Sequence, residues 1–195
     1  MKILVACEYS GRVREAFRAR GHNAISVDLR HTEQEGPHHQ GRVEDLLEED
    51  WDMMIAFPPC TYLSISGLHR NLDNPVRERK TEEALKFFKM LHQRPIKKIV
   101  MENPMGCVSS RYQKYSQIIH PYMFGDDASK RTCLWLKGVP KLVPTQYVKP
   151  RMVNGKPRWG NQLDSGQCGL SGKDRAKERA KTYQGIADAM ANQWG

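Results

Sequence analysis

The 195-residue sequence predicts an α/β fold in which a mainly parallel sheet carries helices on both faces. Three observations predict it. Short apolar runs recur at residues 2–7, 23–28, 52–56, 96–101 and 132–136. Segments with helical apolar spacing lie between them. The length suits one α/β domain with a proper core and not two large ones.

Each element has its own warrant. Residues 2–7 (KILVAC) read as a buried first strand. A helix over 11–20 places Val13, Ala16 and Phe17 on one face, and Gly21 stops it. Residues 23–28 form a second strand that ends in Asp28, and 43–48 a short helix. The longest helix spans 75–92, with Ala84, Leu85, Phe88 and Leu91 as its stripe. A strand follows at 96–101, then a helix over 110–119 and a strand at 132–136. From Gly138 onward Pro140, Pro144, Pro150 and Pro157, with Gly155 and Gly160, interrupt any long element. Order returns at Thr182, where Ile186, Ala189 and Met190 mark a last amphipathic helix. The reading is one catalytic domain over 1–195, with 138–182 an irregular basic insertion.

Composition narrows the classes. The formal net charge is +9. Residues 141–182 hold ten of the basic side chains against three acids, Asp164, Asp174 and Glu178, a balance of +7. Clustered charge of one sign points to a polyanion such as nucleic acid. Five cysteines without paired or metal-type spacing suit reduced thiols in a cytoplasmic setting. No stretch approaches a membrane span, and the chain opens on a strand instead of a signal peptide. His31, His38 and His39 lie in a polar loop without an acid or cysteine at ligand spacing, so no metal site is expected.

The chemistry concentrates at two strand ends. The run at 52–56 stops at Phe57-Pro58-Pro59-Cys60. Two prolines make a stiff turn with few hydrogen bonds, and present the next side chain at the carboxyl edge of a sheet. A thiol held there is a candidate nucleophile; a small buried cysteine after a structural turn is the plain alternative. The run at 96–101 ends in Glu102-Asn103-Pro104. If the two strands are parallel neighbours, a thiol and a carboxyl group face one pocket. That pair suits covalent attack on an electron-poor ring, with the acid supporting a ring nitrogen.

The order Pro-Pro-Cys, Glu-Asn-Pro, Lys130-Arg131-Thr132-Cys133-Leu134-Trp135-Leu136 and Gly185-Ile186-Ala187-Asp188-Ala189-Met190 resembles the DNA cytosine-5 methyltransferase family. The resemblance implies a Rossmann-like, S-adenosylmethionine-dependent methyltransferase fold. It implies Cys60 as the nucleophile adding to C6 of cytosine, Glu102 in its acid form at N3, and Arg131 beside the base. The turn Glu8-Tyr9-Ser10-Gly11 falls where the family binds the methionine part of the cofactor, although it has one glycine where the family usually has several. Asp28 falls where an acid accepts the ribose hydroxyls, or else serves as a turn residue. Asp45 is an adenine-side contact or a solvated acid. Pro58 and Ile186 are expected against the cofactor, and Pro59, Thr61, Tyr62, Asn103 and Lys130 around the base. Tyr62 either stacks on the base or joins the core. The partner is DNA with the cytosine flipped out of the stack.

One departure matters. The family usually carries a sizeable recognition domain between the Arg131 region and the last helix, and here only about fifty residues intervene. Three consequences stay open: binding mainly through phosphates, help from a partner or a second copy as a homodimer, or action on a free cytosine nucleotide. Two further functions therefore remain: a nucleotide-level pyrimidine C5-transferase with a folate one-carbon donor, and a catalytically silent DNA-binding homologue.

Overall fold

A computed structural model of the chain describes residues 1–169 and 175–195. Residues 170–174, which include Lys173 and Asp174 of the basic stretch, lie outside the described residues. The elements are β1 (Lys2–Ala6), α1 (Arg12–Arg18), β2 (Asn23–Asp28), β3 (His38–Gln40), a 3-10 turn (Val43–Leu46), β4 (Met53–Ala56), α2 (Ile65–Leu68), α3 (Pro75–His92), β5 (Lys98–Pro104), α4 (Val108–Arg111), β6 (Gln117–Ile119), β7 (Thr132–Lys137), β8 (Arg151–Val153), β9 (Lys156–Arg158), α5 (Arg175–Ala180) and α6 (Gln184–Trp194).

β1 to β7 form one sheet in the order β3-β2-β1-β4-β5-β7-β6. The first five of these run parallel, and β7 runs antiparallel to both β5 and β6. The chain builds outward from β1 in one direction and then returns to its other side with β4. That reversal places a crevice outside the carboxyl ends of β1 and β4, where open α/β sheets bind ligands. The fold is α/β and Rossmann-like.

Alternation along each strand divides the core. Ile3, Val5, Met53, Ile55 and Val100 pack on one face with Val13 and Phe17 of α1 and Ile186, Met190 and Trp194 of α6. Their neighbours Leu4, Ala6, Met54, Ala56, Ile99 and Met101 pack on the other with Phe88 and Leu91 of α3. Both faces are covered, which is why these strands read as continuous apolar runs. α3 starts where the sequence predicts. Asn74 accepts a hydrogen bond from the Arg77 amide at 3.0 Å, and Pro75 occupies the first turn.

Three expectations are corrected. The helix at 110–119 is a single turn, α4, and residues 117–119 are strand β6. Tyr112 leaves helical geometry, and β6 satisfies its backbone against β7, an edge that only the tertiary structure supplies. The short helix at 43–48 is a 3-10 turn. The strand at 96–101 runs on to Pro104, because pairing with β7 draws Glu102 and Asn103 into the ladder.

Arg14 is buried completely in α1. Its guanidinium donates to Glu15 Oε1, Ser26 Oγ, Thr32 Oγ1 and the carbonyls of Gln34 and Glu35. These bonds fasten the loop between β2 and β3 to α1. Arg14→Leu removes five hydrogen bonds, one of them to the buried Ser26, and chemical denaturation should show a loss of about 2–4 kcal/mol.

Candidate active site

β4 ends at Ala56, and the Phe57 amide donates to the carbonyl of Ala6 at 3.0 Å, so the chain leaves the sheet at the carboxyl edge beside β1. Pro58 is buried and Pro59 and Cys60 are exposed. Asn103, on the neighbouring parallel strand β5, is buried and donates Nδ2 to the Pro58 carbonyl at 2.7 Å. A second fastening lies just beyond. The Ile65 amide donates to the Met105 carbonyl and the Cys107 amide to the Leu63 carbonyl, each at 2.9 Å. Gly106 makes this approach possible, since a Cβ there would lie 1.8 Å from the Leu63 carbonyl oxygen. The segments that follow Cys60 and Glu102 are thus joined to each other.

Asn103→Ala leaves the Pro58 carbonyl without its donor. The expected cost is about 1–3 kcal/mol, and the turn that carries Cys60 loosens. Amide hydrogen exchange should speed up locally at 60–65, while the strands of the sheet keep their protection.

The Glu102 side chain is mostly buried, and its Oε1 lies 3.7 Å from Lys130 Nζ. Lys130 arrives from the amino end of β7. Because β7 is antiparallel, its start meets the end of β5. Arg131 turns elsewhere: its Nη1 rests on the Met105 sulfur at 3.2 Å and the side chain is exposed. The cation nearest the acid is therefore Lys130. The Cys60 residue keeps exposed surface, but its neighbours partly shield the sulfur from water, and this first and the Glu102 carboxylate second raise the thiol above its ordinary range, with Lys130 and Arg179 opposing.

Residues 177–182 lie across this edge. Three of their carbonyls accept hydrogen bonds from three different segments. Tyr9 Oη reaches Lys177 at 2.5 Å, Lys130 Nζ reaches Arg179 at 3.0 Å and Arg12 Nη1 reaches Thr182 at 2.9 Å. Glu33 adds ion pairs to Lys177 at 3.1 Å and Lys181 at 2.9 Å. Below this strap, Phe57, Glu102, Lys130, Thr182, Tyr183 and Ile186 line a slot of about 10 Å³, room for one water. A slot of this size is too small for a base as it stands. Tyr183 also borders a wider cleft of about 510 Å³, walled by Arg12, Asn161, Gln162 and Lys181.

The turn after β1 is unusual. Glu8 is buried, and its Oε1 accepts from the Ser10 hydroxyl at 2.6 Å and the Val13 amide at 3.4 Å. Its Oε2 is buried without a partner. Burial raises the Glu8 pKa, and the Ser10 and Val13 hydrogen bonds oppose the rise. A raised folded pKa means that the folded state binds the proton more tightly. Stability from this group is therefore full below the unfolded carboxylate pKa and is lost as pH rises through the folded value. Glu8→Gln should raise the melting temperature at pH 7.5, and the gain should shrink toward pH 4.5. Gly11 has φ +76°, and any side chain there would strike Arg14 and Gln34.

The other candidates are placed as follows. Asp28 is half-buried at the end of β2, and its Oδ1 accepts from the Arg30 amide at 2.9 Å. Asp45 is held by His39 at 2.8 Å and by the Arg42 amide at 3.0 Å. Thr61 is exposed. Tyr62 is half-buried under Arg77, whose guanidinium carbon lies 4.9 Å from the ring centre. Ile186 packs in the α1–α6 core. His38 bonds Ser26 and the Arg30 carbonyl. Among the described residues no three His, Cys, Asp or Glu side chains cluster as a metal site, and no helix is long and apolar enough to cross a membrane. Sequence reasoning missed the strap contacts, which join residues from 49 to 170 positions apart. It also missed the β8–β9 hairpin, for which Asn154-Gly155 is the local signal.

No protein-family model matches the chain, and no curated protein is similar to it. Among solved structures, the chain is similar to a prophage-encoded protein of E. coli assigned as a DNA modification methyltransferase, with 12% identity over 78% of this chain and 53% of that one, at a TM-score of 0.49. It is also similar to the Entamoeba histolytica methyltransferase EhMeth, with 15% identity over 75% of this chain and 57% of that one, at a TM-score of 0.48. The chain thus spans little more than half the length of either structure.

Proposed function

We propose that this protein is a DNA cytosine C5-methyltransferase that uses S-adenosylmethionine and a covalent Cys60 adduct, with residues 1–195 acting as one catalytic unit. The observation that carries this reading is the arrangement of Cys60 and Glu102. They leave adjacent parallel strands at one sheet edge, and Asn103 ties the two turns together. That arrangement fits the chemistry of an unreactive ring carbon. The Cys60 thiol gives up its proton to solvent and Sγ bonds to C6 of cytosine while the protonated Glu102 carboxyl hydrogen-bonds N3, and the ring electrons move to C5. When bound, S-adenosylmethionine supplies a methyl group on a cationic sulfur for C5 to take. The C5 proton then leaves to solvent, the Cys60–C6 bond breaks, and the ring double bond is restored. Lys130 stands beside Glu102 to balance charge, and Arg131 is within one residue of the same edge.

The residues of the β1 turn fit the cofactor in one respect that the structure displays. The partnerless Oε2 of Glu8 is an acceptor that lacks a donor, at a position where a cationic amino acid group would supply one. Ser10 orients that carboxylate. Asp28 at the end of β2 would take the ribose hydroxyls, and Asp45, Pro58 and Ile186 complete the proposed wall.

The test is mass spectrometry of nucleosides from DNA incubated with the protein and methyl-labelled S-adenosylmethionine. Labelled 5-methylcytosine is the expected result. Label in deoxycytidine monophosphate and none in DNA would instead establish a nucleotide-level enzyme. DNA binding with no product from any donor would establish a silent binder.

A further inference from the structure

The strap at 177–182 reads Lys-Glu-Arg-Ala-Lys-Thr. Ala180 is its one apolar residue, and 177–180 are all exposed. Apolar burial therefore does not hold the strap down. A segment fastened at the surface by polar contacts opens more readily than core strands do. Two of its contacts to the rest of the molecule are ionic, and both end on Glu33, in the loop after β2. Lys177 and Lys181 stand four residues apart, a spacing at which like charges repel. The Glu33 carboxylate answers both, at 3.1 Å and 2.9 Å. The hydrogen bond from Lys181, above all, holds the Glu33 carboxyl below its ordinary range, so the latch is charged at neutral pH.

The carboxyl end of the strap is fixed. Thr182 is buried, and its carbonyl accepts from Arg12. The Gly185 amide donates to Asp126 Oδ2 at 3.1 Å, and a Cβ on Gly185 would lie 1.8 Å from the Phe124 carbonyl oxygen. Ile186, Met190 and Trp194 then anchor α6 in the core. Movement of 177–181 therefore pivots at Thr182. The free part lies over the two proposed reactive groups. The Arg179 carbonyl holds Lys130 Nζ at 3.0 Å, while the same ammonium stands 3.7 Å from Glu102 and lines its slot. The Arg179 charge is also felt by the Cys60 thiol.

We propose that residues 177–181 are a gate over the Glu102 slot, held shut by the ion pairs of Glu33 with Lys177 and Lys181 and opened when those pairs break. The structure is then the closed form, in which a slot of about 10 Å³ keeps substrate from the acid. The inference rests on the reading of Glu102 as the acid that meets the ring. A latch of partly exposed ion pairs suits a gate, because each pair is weak and screened by salt. Opening therefore needs no disruption of the sheet or of α6.

The experiment compares the full chain with Glu33→Ala by two readouts. Amide hydrogen exchange follows the strap, and a brief pulse of carbodiimide with glycinamide, mapped by peptide mass spectrometry, follows access to the Glu102 carboxyl. Both are run at about 0.01 M and about 1 M salt, where the screening length falls from roughly 30 Å to roughly 3 Å. At low salt Glu33→Ala should raise exchange at 177–181 and labelling of Glu102 by roughly fivefold each, the worth of two partly exposed ion pairs. High salt should bring the unaltered protein to the same level and change the variant little. Exchange in β1, β4 and β5 should stay as it was. Glu48→Ala, which breaks the exposed pair with Arg94, is the control. Changes no greater than the control's overturn the gate. Faster strap exchange with Glu102 still unlabelled overturns it too, since the strap then moves without uncovering the acid. Loss of protection throughout the sheet overturns it in favour of a strap that is simply part of the fold. Neither DNA nor cofactor enters the measurement, so labelled 5-methylcytosine tests the function separately.

Discussion

Cys60→Ser should abolish transfer to DNA, by about 10⁴-fold or more, as loss of the atom that forms the covalent bond demands. The serine hydroxyl keeps nearly the same shape, and the residue is exposed. Stability should therefore be unchanged within about 0.5 kcal/mol. A duplex containing 5-fluorocytosine sharpens the measurement. Fluorine at C5 cannot leave as a cation, so the unaltered protein should stop as a stable protein–DNA adduct after methyl transfer, visible as a slower band on a denaturing gel. The serine variant should form none. An adduct that survives in Cys60→Ser would move the nucleophile to another residue. Of the other cysteines, Cys7 is half-buried, with its thiol pushed up to about 12 by withdrawal from water and by the Asp28 and Glu44 carboxylates, and burial pushes Cys133 to about 11. Neither supplies a thiolate near neutral pH.

Glu102→Gln should lower turnover about 10²- to 10⁴-fold, the usual worth of a positioned proton donor, with little change in DNA affinity. It should also change Cys60 itself. The Glu102 carboxylate is one of the two causes that hold the thiol above its ordinary range. Its removal favours the thiolate, so the alkylation profile of Cys60 should shift to lower pH. Peptide mapping after iodoacetamide treatment across pH 7–10 reads this directly. The variant thus has a more reactive cysteine and a less active enzyme, opposite effects that a merely unfolded protein does not show. An unshifted alkylation profile would mean that the carboxylate does not reach the thiol.

Much of this chain follows from local pattern. Strands 2–6 and 53–56 are apolar on both faces because helices cover both faces, and such runs have few other uses. α3 begins at an asparagine followed by a proline, a start that depends only on neighbouring residues. The Pro-Pro-Cys turn is likewise local, since proline restricts its own φ and the residue before it. Where the reading failed, a distant partner decided. Ile118 and Ile119 are apolar and compatible with a helix, but β7 offers residues 117–119 an open edge, and backbone groups must be paired.

The site divides in the same way. Sequence by itself determined which residue types stand at the strand ends, a thiol after β4 and a carboxyl group in β5, because both lie next to recognisable apolar runs. Only the tertiary structure decided that the two strands are parallel neighbours, that Asn103 locks one turn to the other, and that Lys130 rather than Arg131 faces the acid. The strap over the edge was equally hidden, since the bond from Tyr9 to Lys177 spans 168 positions. Local propensity acts over a few residues. Charge balance, register and closure depend on groups that meet only after the chain has folded.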